Sequence, residues 1–382
     1  MCTDPCHYGG VEQNSNTGPL AGLVVADFSR VLAGPYATMM LGDMGADVIK
    51  IERPGDGDDT RSWGPPYDST GTATYFASVN RNKTSRAVDL KSAAGIAEAR
   101  EIVAGADIVI ENFRAGTMDQ LGLGYREVSA DRPGLIYCSI TGFGTGGGAS
   151  LPGYDLLVQA VGGLMSVTGP DPHTPTKVGV AMVDIVTGLH ALTGILAALH
   201  HRSVSGRGQH VHTSLMSCVL SALSNQSAAF LGAGVVPTAM GNKHPSVVPY
   251  EVFETANRPL ALAVGNDTQF ATLAEVCGLD WLANDDRFVG NSNRVQNRDA
   301  LIDELTAAFR TRSADEWHRT LSSRGVPAGP VNTIDEAFAF AESIGLNPRV
   351  NVPGTVTQGV RNPIDFSATP VGYRLPPPAM PG

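Results

Sequence analysis

Residues 23–54, LVVADFSRVLAGPYATMMLGDMGADVIKIERP, decide the fold class. LVVADFS (23–29) is an apolar run of strand length and reads as a buried strand. After a short loop, Pro35 stands in the first turn of a helix reading PYATMMLGDM, where its missing N–H costs nothing, and the helix closes near Gly45. ADVIKIERP (46–54) supplies a second strand. A strand–helix–strand unit of this length predicts an α/β protein with a parallel, Rossmann-like sheet. The turn after the first strand reads SRVLAGP instead of GxGxxG, which argues against a nicotinamide or flavin cofactor.

The pattern continues with a helix across Ala93–Ala104 and strands DIVIENF (107–113) and GLIYCSITGFG (134–144). GTGGG (144–148) looks like a phosphate cradle, but no Lys-Ser/Thr pair follows and no helix pattern begins there, so it reads as a flexible loop. In KVGVAMVDIVTGLHALTGILAALHHR (177–202), Val178, Val180, Met182 and Val183 predict a short extended segment. Ile185, Leu189, Leu192, Leu196 and Leu199 then recur at helical spacing. Asp184 falls at the junction, and two readings stand open. It is an N-cap whose carboxylate accepts from the N–H of residue 186 or 187, or a nucleophile held at the positive end of a helix dipole.

GRGQHVHTSL (206–215) precedes an Ala/Leu/Ser stretch that predicts one long helix, and the composition shifts near Ala233. Gly, Pro and Asn cluster in MGNKHPSVVPYEVFETAN (240–257) before strand-like EVFETA, with ALAVG (261–265) following it as a second strand. Thr268 to Arg324 is mostly helical. The prolines of GVPAGPVNT (325–333) break the pattern and mark a linker or a return crossing. The closing RLPPPAMPG excludes a helix or a central strand.

A chain of 382 residues has room for two cores. With 42% hydrophobic and 17% charged residues it has an ordinary globular composition. A net charge of −10 without any basic block speaks against nucleic acid as a partner, though local arginines and lysines can still make a positive pocket. The five cysteines are scattered without CxxC; Cys2, Cys6 and His7 offer metal ligands on a polar, loose tail (residues 1–18), and no metal is expected. No signal peptide or long apolar run is found, so the expected location is the cytoplasm, without a membrane.

Eight stretches, in this order and spacing, resemble the class III CoA-transferase family. They are DFSRVLAGPYATMMLGDMGADVIKIERPGDGD, NRNKTSRAVDLKS, IENFRAGTMDQLG, PGYDLLVQAVGG, VDIVTGLHALTGILAALHHR, GRGQHV, GNKHPSVVPYEVF and GVPAGPVNT. The family includes formyl-CoA transferase, carnitine CoA-transferases and α-methylacyl-CoA racemase. The resemblance implies a large Rossmann-like CoA-binding domain (19–225, completed by 326–382), a smaller α+β domain (233–325), and an interlocked homodimer. Residue by residue, it implies that Arg30, Val31, Leu32 and Ala33 lie beside the nucleotide end. Arg53 matches a CoA-contacting arginine, and Val88, Asp89, Leu90 and Lys91 match a further contact, with Lys91 suited to a phosphate. Asn112 and Phe113 match the pantetheine wall, and Arg114, Gln120 and Asp155 complete the CoA-binding set. Gln120 departs from formyl-CoA transferase, which has an arginine there. Relatives also carry a Gly-Glu-His-Thr motif beyond the proline-rich stretch, where this sequence stops at Gly382.

The resemblance further implies that Asp184 is the nucleophile, working through an aspartyl–acyl anhydride and an aspartyl-CoA thioester, with helix N–H groups aimed at the developing charge. Tyr154 stands by it, and Gly241 and Asn242 lie in a loop (240–244) matching the glycine loop that covers the site in relatives. With one glycine, that loop is expected to be stiffer. The substrates would be an acyl-CoA and a carboxylic acid, with no metal or redox cofactor; which acids they are is not readable. A racemase of the same fold is the first alternative, but racemases place a histidine where Tyr154 stands, and an unperturbed phenol, with a pKa of about 10, is a poor neutral base. A dinucleotide-binding oxidoreductase is the second, opposed by the missing glycine fingerprint.

Overall fold

A computed structural model describes residues 17–355 and 357–381; Cys2, Cys6 and His7 lie outside the described residues. The chain forms two compact units. The first comprises residues up to 162, 179–224 and 347 onward, and the second comprises 163–178 and 225–346. The 163–178 segment, expected in the large domain, thus sits in the second unit.

The first unit contains β1 (Val24–Asp27), α1 (Ala33–Asp43), β2 (Asp47–Glu52), α2 (Thr74–Val79), β3 (Lys83–Ala87), α3 (Ala93–Gly105) and β4 (Ile108–Glu111). It continues through α4 (Thr117–Gln120), α5 (Tyr125–Val128), β5 (Ile136–Thr141), α6 (Asp155–Val161), α7 (Met182–Ser205), β6 (His210–Ser214) and α8 (Leu215–Ala222). The six strands form one sheet in the order β3-β2-β1-β4-β5-β6, with every pair parallel. β4 and β5 are buried throughout, which is why they read as continuous apolar runs without alternation. The chain leaves β1 toward β2 and returns on its other side as β4, so a crevice opens at their carboxyl ends, where open α/β sheets take their ligands.

Two helices frame that crevice. Ten of the eleven residues of α1 are buried, because it packs against both β2 and α7. The approach is close: a Cβ on Gly188 of α7 would sit 2.6 Å from the Ala33 carbonyl oxygen, so only glycine fits. Among the described residues α7 is the one helix long and apolar enough to cross a membrane; here it packs on α1, α8, β5 and β6. The extended segment expected before Asp184 is absent: α7 already begins at Met182, because its first-turn N–H groups find acceptors. The single long helix expected after residue 215 is two, α8 and α9 (Ser224–Ala233), broken where Ser224 adopts φ +43°.

The stretch NRNK is structural. Asn80, Arg81, Asn82 and Lys83 are all buried. Asp43, with no exposure, accepts hydrogen bonds from Arg81 (2.6 and 2.9 Å), Asn82 (2.8 Å) and Asn362 (3.0 Å). Arg81 also donates to the Val360 carbonyl and Asn82 to that of Gly372, tying the returning C-terminal segment to the first unit. A fully paired buried ion cluster of this kind is costly to break on one side.

In the second unit β7 (Tyr250–Phe253), β8 (Leu260–Ala263) and β9 (Ala328–Pro330) form an antiparallel sheet with β8 central. GVPAGPVNT, read as a linker or a crossing, therefore supplies an edge strand, the one sheet position that tolerates its prolines. Helices α10 (Asp267–Cys277), α11 (Asn291–Gln296), α12 (Arg298–Phe309) and α13 (Ala314–Ser323) belong to this unit. Phe253, Leu262, Leu273, Leu305 and Trp317 share its core. After α14 (Ile334–Ser343) the chain rejoins the first unit at Asn347, where β10 (Arg349–Asn351) pairs with β11 (Gln358–Val360).

Candidate active site

At the carboxyl ends of β1, β4 and β5 lies a cavity of about 320 Å³. Its walls hold Arg30, Val31, Leu32 and Ala33 from the turn after β1, and Asn112, Phe113 and Arg114 from the turn after β4. The loop after β5 contributes a third wall, including Gly144, Gly148 and Tyr154. Asp184 lies at the base of α7.

The first turn is held rigidly. Asn112 accepts from the Arg30 N–H (2.8 Å) and donates to the Arg30 carbonyl (2.7 Å), locking the two turns together. Its amide is thereby committed to protein. Arg30 also lies over the Phe113 ring at 5.0 Å, within cation–π range. Val31 has φ +69°, a strained geometry for a β-branched residue. Its N–H points at both oxygens of Asp58, at 3.3 and 3.4 Å. Asp58 is fixed in turn by Lys50 at 2.8 Å, both side chains wholly buried, and by the N–H and hydroxyl of Thr60. Burial alone would push the Asp58 carboxyl up; Lys50 and the Thr60 donors hold it below the usual range.

Asp184 has the opposite environment. It is 9% exposed, and among the described residues none donates a hydrogen bond to its carboxylate. Burial, and after it the charge of Asp155, pushes its carboxyl up to about 7. It is not the N-cap. Ala181 holds that position, and Asp184 is the third residue of α7. Nor are helix N–H groups aimed at it. Met182 donates to the Val180 carbonyl at 2.8 Å, and Val183 and Asp184 donate to Asp155 Oδ1 at 2.8 and 3.3 Å. Tyr154, 63% exposed, is the residue before α6 and reaches the same cavity.

The remaining site residues fall elsewhere. Arg53 stands outside the cavity wall and pairs with Asp59, a wall residue, at 2.6 Å. Val88 is a core side chain, 2% exposed, packed with Phe28 and Val109; its neighbours Asp89 and Lys91 are exposed, with Leu90 half-buried. None of these four lines the cavity, and neither does Gln120, exposed at the end of α4. Asp155 faces the start of α7. Gly241 and Asn242 belong to the second unit. There the Gly241 N–H donates to the Gly169 carbonyl at 3.0 Å, with φ +64°, and Asn242 borders a separate cavity of about 380 Å³ beside Tyr250 and Glu251. Residue-by-residue reading missed Asp58, Asp59 and the 141–153 wall. The glycine run that looked like an idle loop was the available signal, because it follows the carboxyl end of a sheet strand.

Fold and site define a doubly wound α/β protein with a cavity at the switch point of its sheet, lined in part by a buried carboxylate that receives no hydrogen bond from the described residues. The chain belongs to CoA-transferase family III, whose model matches residues 20–382, and it is a CoA-transferase of that class acting on CoA thioesters. The succinate–glutarate CoA-transferase of Agrobacterium fabrum is 43% identical over 95% of this chain and 93% of that relative. The acetyl-CoA:oxalate CoA-transferase of Acetobacter aceti is 39% identical over 92% of this chain and 90% of its own length. A crystal structure of a CaiB/BaiF family protein from Brucella suis matches with a TM-score of 0.85 and 42% identity, covering 95% of this chain and 97% of that one. The dinucleotide reading is set aside by this membership.

Proposed function

We propose that this enzyme moves CoA from an acyl-CoA donor to a dicarboxylic acid through covalent chemistry on Asp184. The observation that carries the proposal is a carboxylate with no hydrogen-bond donor among the described residues, nearly shut off from water, in the cavity at the sheet's switch point. Hydration is what makes a carboxylate a poor nucleophile, so a dry and undonated one is activated. An Asp184 oxygen attacks the thioester carbonyl, the C–S bond breaks, and CoA leaves as thiolate with an aspartyl–acyl anhydride remaining. The thiolate attacks the aspartyl carbonyl, giving an aspartyl-CoA thioester and freeing the donor acid. The acceptor carboxylate then attacks that thioester, and the released thiolate takes the acceptor acyl group from the second anhydride, restoring Asp184.

The nucleotide end lies by the turn at Arg30–Ala33 and the pantetheine by Phe113, with Arg114, Arg53 and Lys91 supplying charge for the phosphates. Tyr154 orients the acyl group. The dicarboxylate class follows the relatives, which are named for succinate, glutarate and oxalate. The enzyme is an interlocked homodimer in the cytoplasm. Exposed Leu156, Val161, Leu189 and Leu220 on α6, α7 and α8 suit a partner chain, and the thiols of Cys138, Cys218 and Cys277 suit a reducing compartment.

The test is Asp184→Asn, together with trapping. Wild type incubated with succinyl-CoA and then hydroxylamine should carry a hydroxamate on Asp184 by peptide mass spectrometry. The variant should bind succinyl-CoA without measurable transfer, whereas retained transfer overturns the assignment. Sedimentation showing a folded monomer at micromolar concentration would overturn the dimer.

A further inference from the structure

Asp155 was assigned by resemblance to CoA binding, yet its side chain is spent on the start of α7. One oxygen accepts from the N–H groups of Val183 and Asp184; the other accepts from Gln159 Nε2 at 2.6 Å, and Gln159 is itself fully buried one turn along α6. With Met182 donating to Val180, and Ile185 to the Ala181 carbonyl at 3.1 Å, every N–H from residue 182 to 185 is engaged. We propose that Asp155 is a positioning residue for the nucleophile: it caps α7 from outside the helix, so that the Asp184 side chain is denied those N–H groups and stays turned into the cavity. This rests on Asp184 being the nucleophile.

The physical reason is competition. A carboxylate in the first turn of a helix gains from free N–H groups and from the helix dipole. Left to itself, Asp184 would fold back to accept from its own helix and become a stabilised, poorly reactive anion. A second carboxylate already seated there removes the donors and adds a like charge, which disfavours the ionised form. The groups around Asp184 are few. Asp155 is on α6, Tyr75 on α2 and Tyr36 on α1; Tyr154, Arg30, Arg114 and Asp59 share the cavity; α8 presents Leu215. Burial and the nearby aspartates push the Tyr75 phenol up to about 12, so it stays neutral throughout the assay range. Burial apart, Asp155 is the one neighbour that raises the Asp184 carboxyl.

Two variants of the full-length enzyme separate this from a purely structural role. Asp155→Asn keeps an acceptor oxygen but no charge. Its acid limb in the pH profile of kcat should move down by roughly one pH unit, with KM for succinyl-CoA little changed. Asp155→Ala frees the N–H groups, and kcat should fall by roughly a hundredfold, the cost of a misplaced reacting group, again at nearly constant KM; the Asn variant should recover most of that loss. A role confined to stability would lower Tm in both variants and leave the acid limb where it is in wild type. An unmoved limb in folded Asp155→Asn overturns the proposal, and that variant decides alone if Asp155→Ala does not fold. Hydroxamate trapping on wild type tells the two failures apart. A trapped Asp184 with an unmoved limb sinks the positioning role only, whereas no trap at Asp184 sinks the nucleophile and this role with it.

Discussion

The turn after β1 and the start of α7 both border one cavity, and each depends on a buried aspartate: Asp58, from the loop after β2, accepts from the Val31 N–H of the turn, and Asp184 stands in the first turn of α7. The two are treated in opposite ways. Asp58 has a buried lysine at 2.8 Å and donors from Thr60, so it stays ionised and serves as a fixed acceptor for the strained Val31 turn. Asp184 has no donor among the described residues and a like charge next to it, so its charge is costly and available for chemistry. Identical side chains at neighbouring depths thus become a strut and a reagent, and what differs is which groups supply hydrogen bonds.

The largest effect should come from stripping the strut. Lys50→Met leaves the Asp58 carboxylate buried without its cation, a loss of about 3–5 kcal/mol. Chemical denaturation should show it, along with lost acyl-CoA binding as the Val31 turn relaxes. A variant as stable as wild type would mean that the pair is neutral here.

The next effect has the opposite sign. The Asp184 carboxyl is raised to about 7, so between its unfolded value near 3.8 and 7 the folded state binds the proton that the unfolded state has released. Stability therefore falls as pH rises through that window, and the full cost is present above 7. Asp184→Asn cannot ionise and escapes this cost. Its melting temperature should exceed that of wild type by several degrees at pH 8, and the gap should close toward pH 4. Asp58 works the other way: its lowered carboxyl stabilises at neutral pH, and that stability is lost as pH falls through its folded value. An Asp184→Asn variant less stable than wild type at pH 8 would remove the contrast between the two aspartates.

Gly188 joins the two regions, since α7 meets the Ala33 carbonyl of the first turn there. Gly188→Ala drives a methyl to 2.6 Å from backbone oxygen, so the helices must part, at about 1–3 kcal/mol. Because both walls of the cavity shift, KM for acyl-CoA should rise along with the loss in Tm; a change in Tm alone would show that the regions are independent.

Much of this was legible in the sequence, for physical reasons. Strands buried on both faces and a proline-opened helix announce themselves through composition and period, so β1, α1 and β2 follow from residues 23–54. Asp184 could be placed at a helix start but not at its position within the first turn, because the donor balance there is set by Asp155, twenty-nine residues away. No local pattern encodes a cap supplied in space. The same applies to Asp58, which gains meaning only beside Lys50 and the Val31 N–H. Val88 shows the converse: a residue carried over by resemblance whose side chain serves the core.

The smallest effect concerns the charges outside the cavity wall. Arg53 is half exposed and already paired with Asp59 at 2.6 Å, while Lys91 is exposed beyond β3. A phosphate bound by such groups competes with water, with salt and, for Arg53, with a carboxylate in place. Exposed ion pairs are worth about 0–1 kcal/mol, so each alanine variant should weaken acyl-CoA binding by no more than about fivefold at low salt. The contribution is screened beyond a Debye length of about 8 Å at physiological ionic strength. Wild type should consequently lose affinity faster than either variant as salt rises, and the curves should converge. Arg53→Ala carries a second consequence, because it releases Asp59, which also sits 3.6 Å from Arg30. Among the described residues Arg30 is then the cation left on Asp59, and part of the lost affinity should return in Arg53→Ala combined with Asp59→Asn. Titrations of the single and double variants at low and high salt would decide it. Unchanged affinity in both single variants at low salt would move the phosphates to the Arg30 and Arg114 side of the cavity.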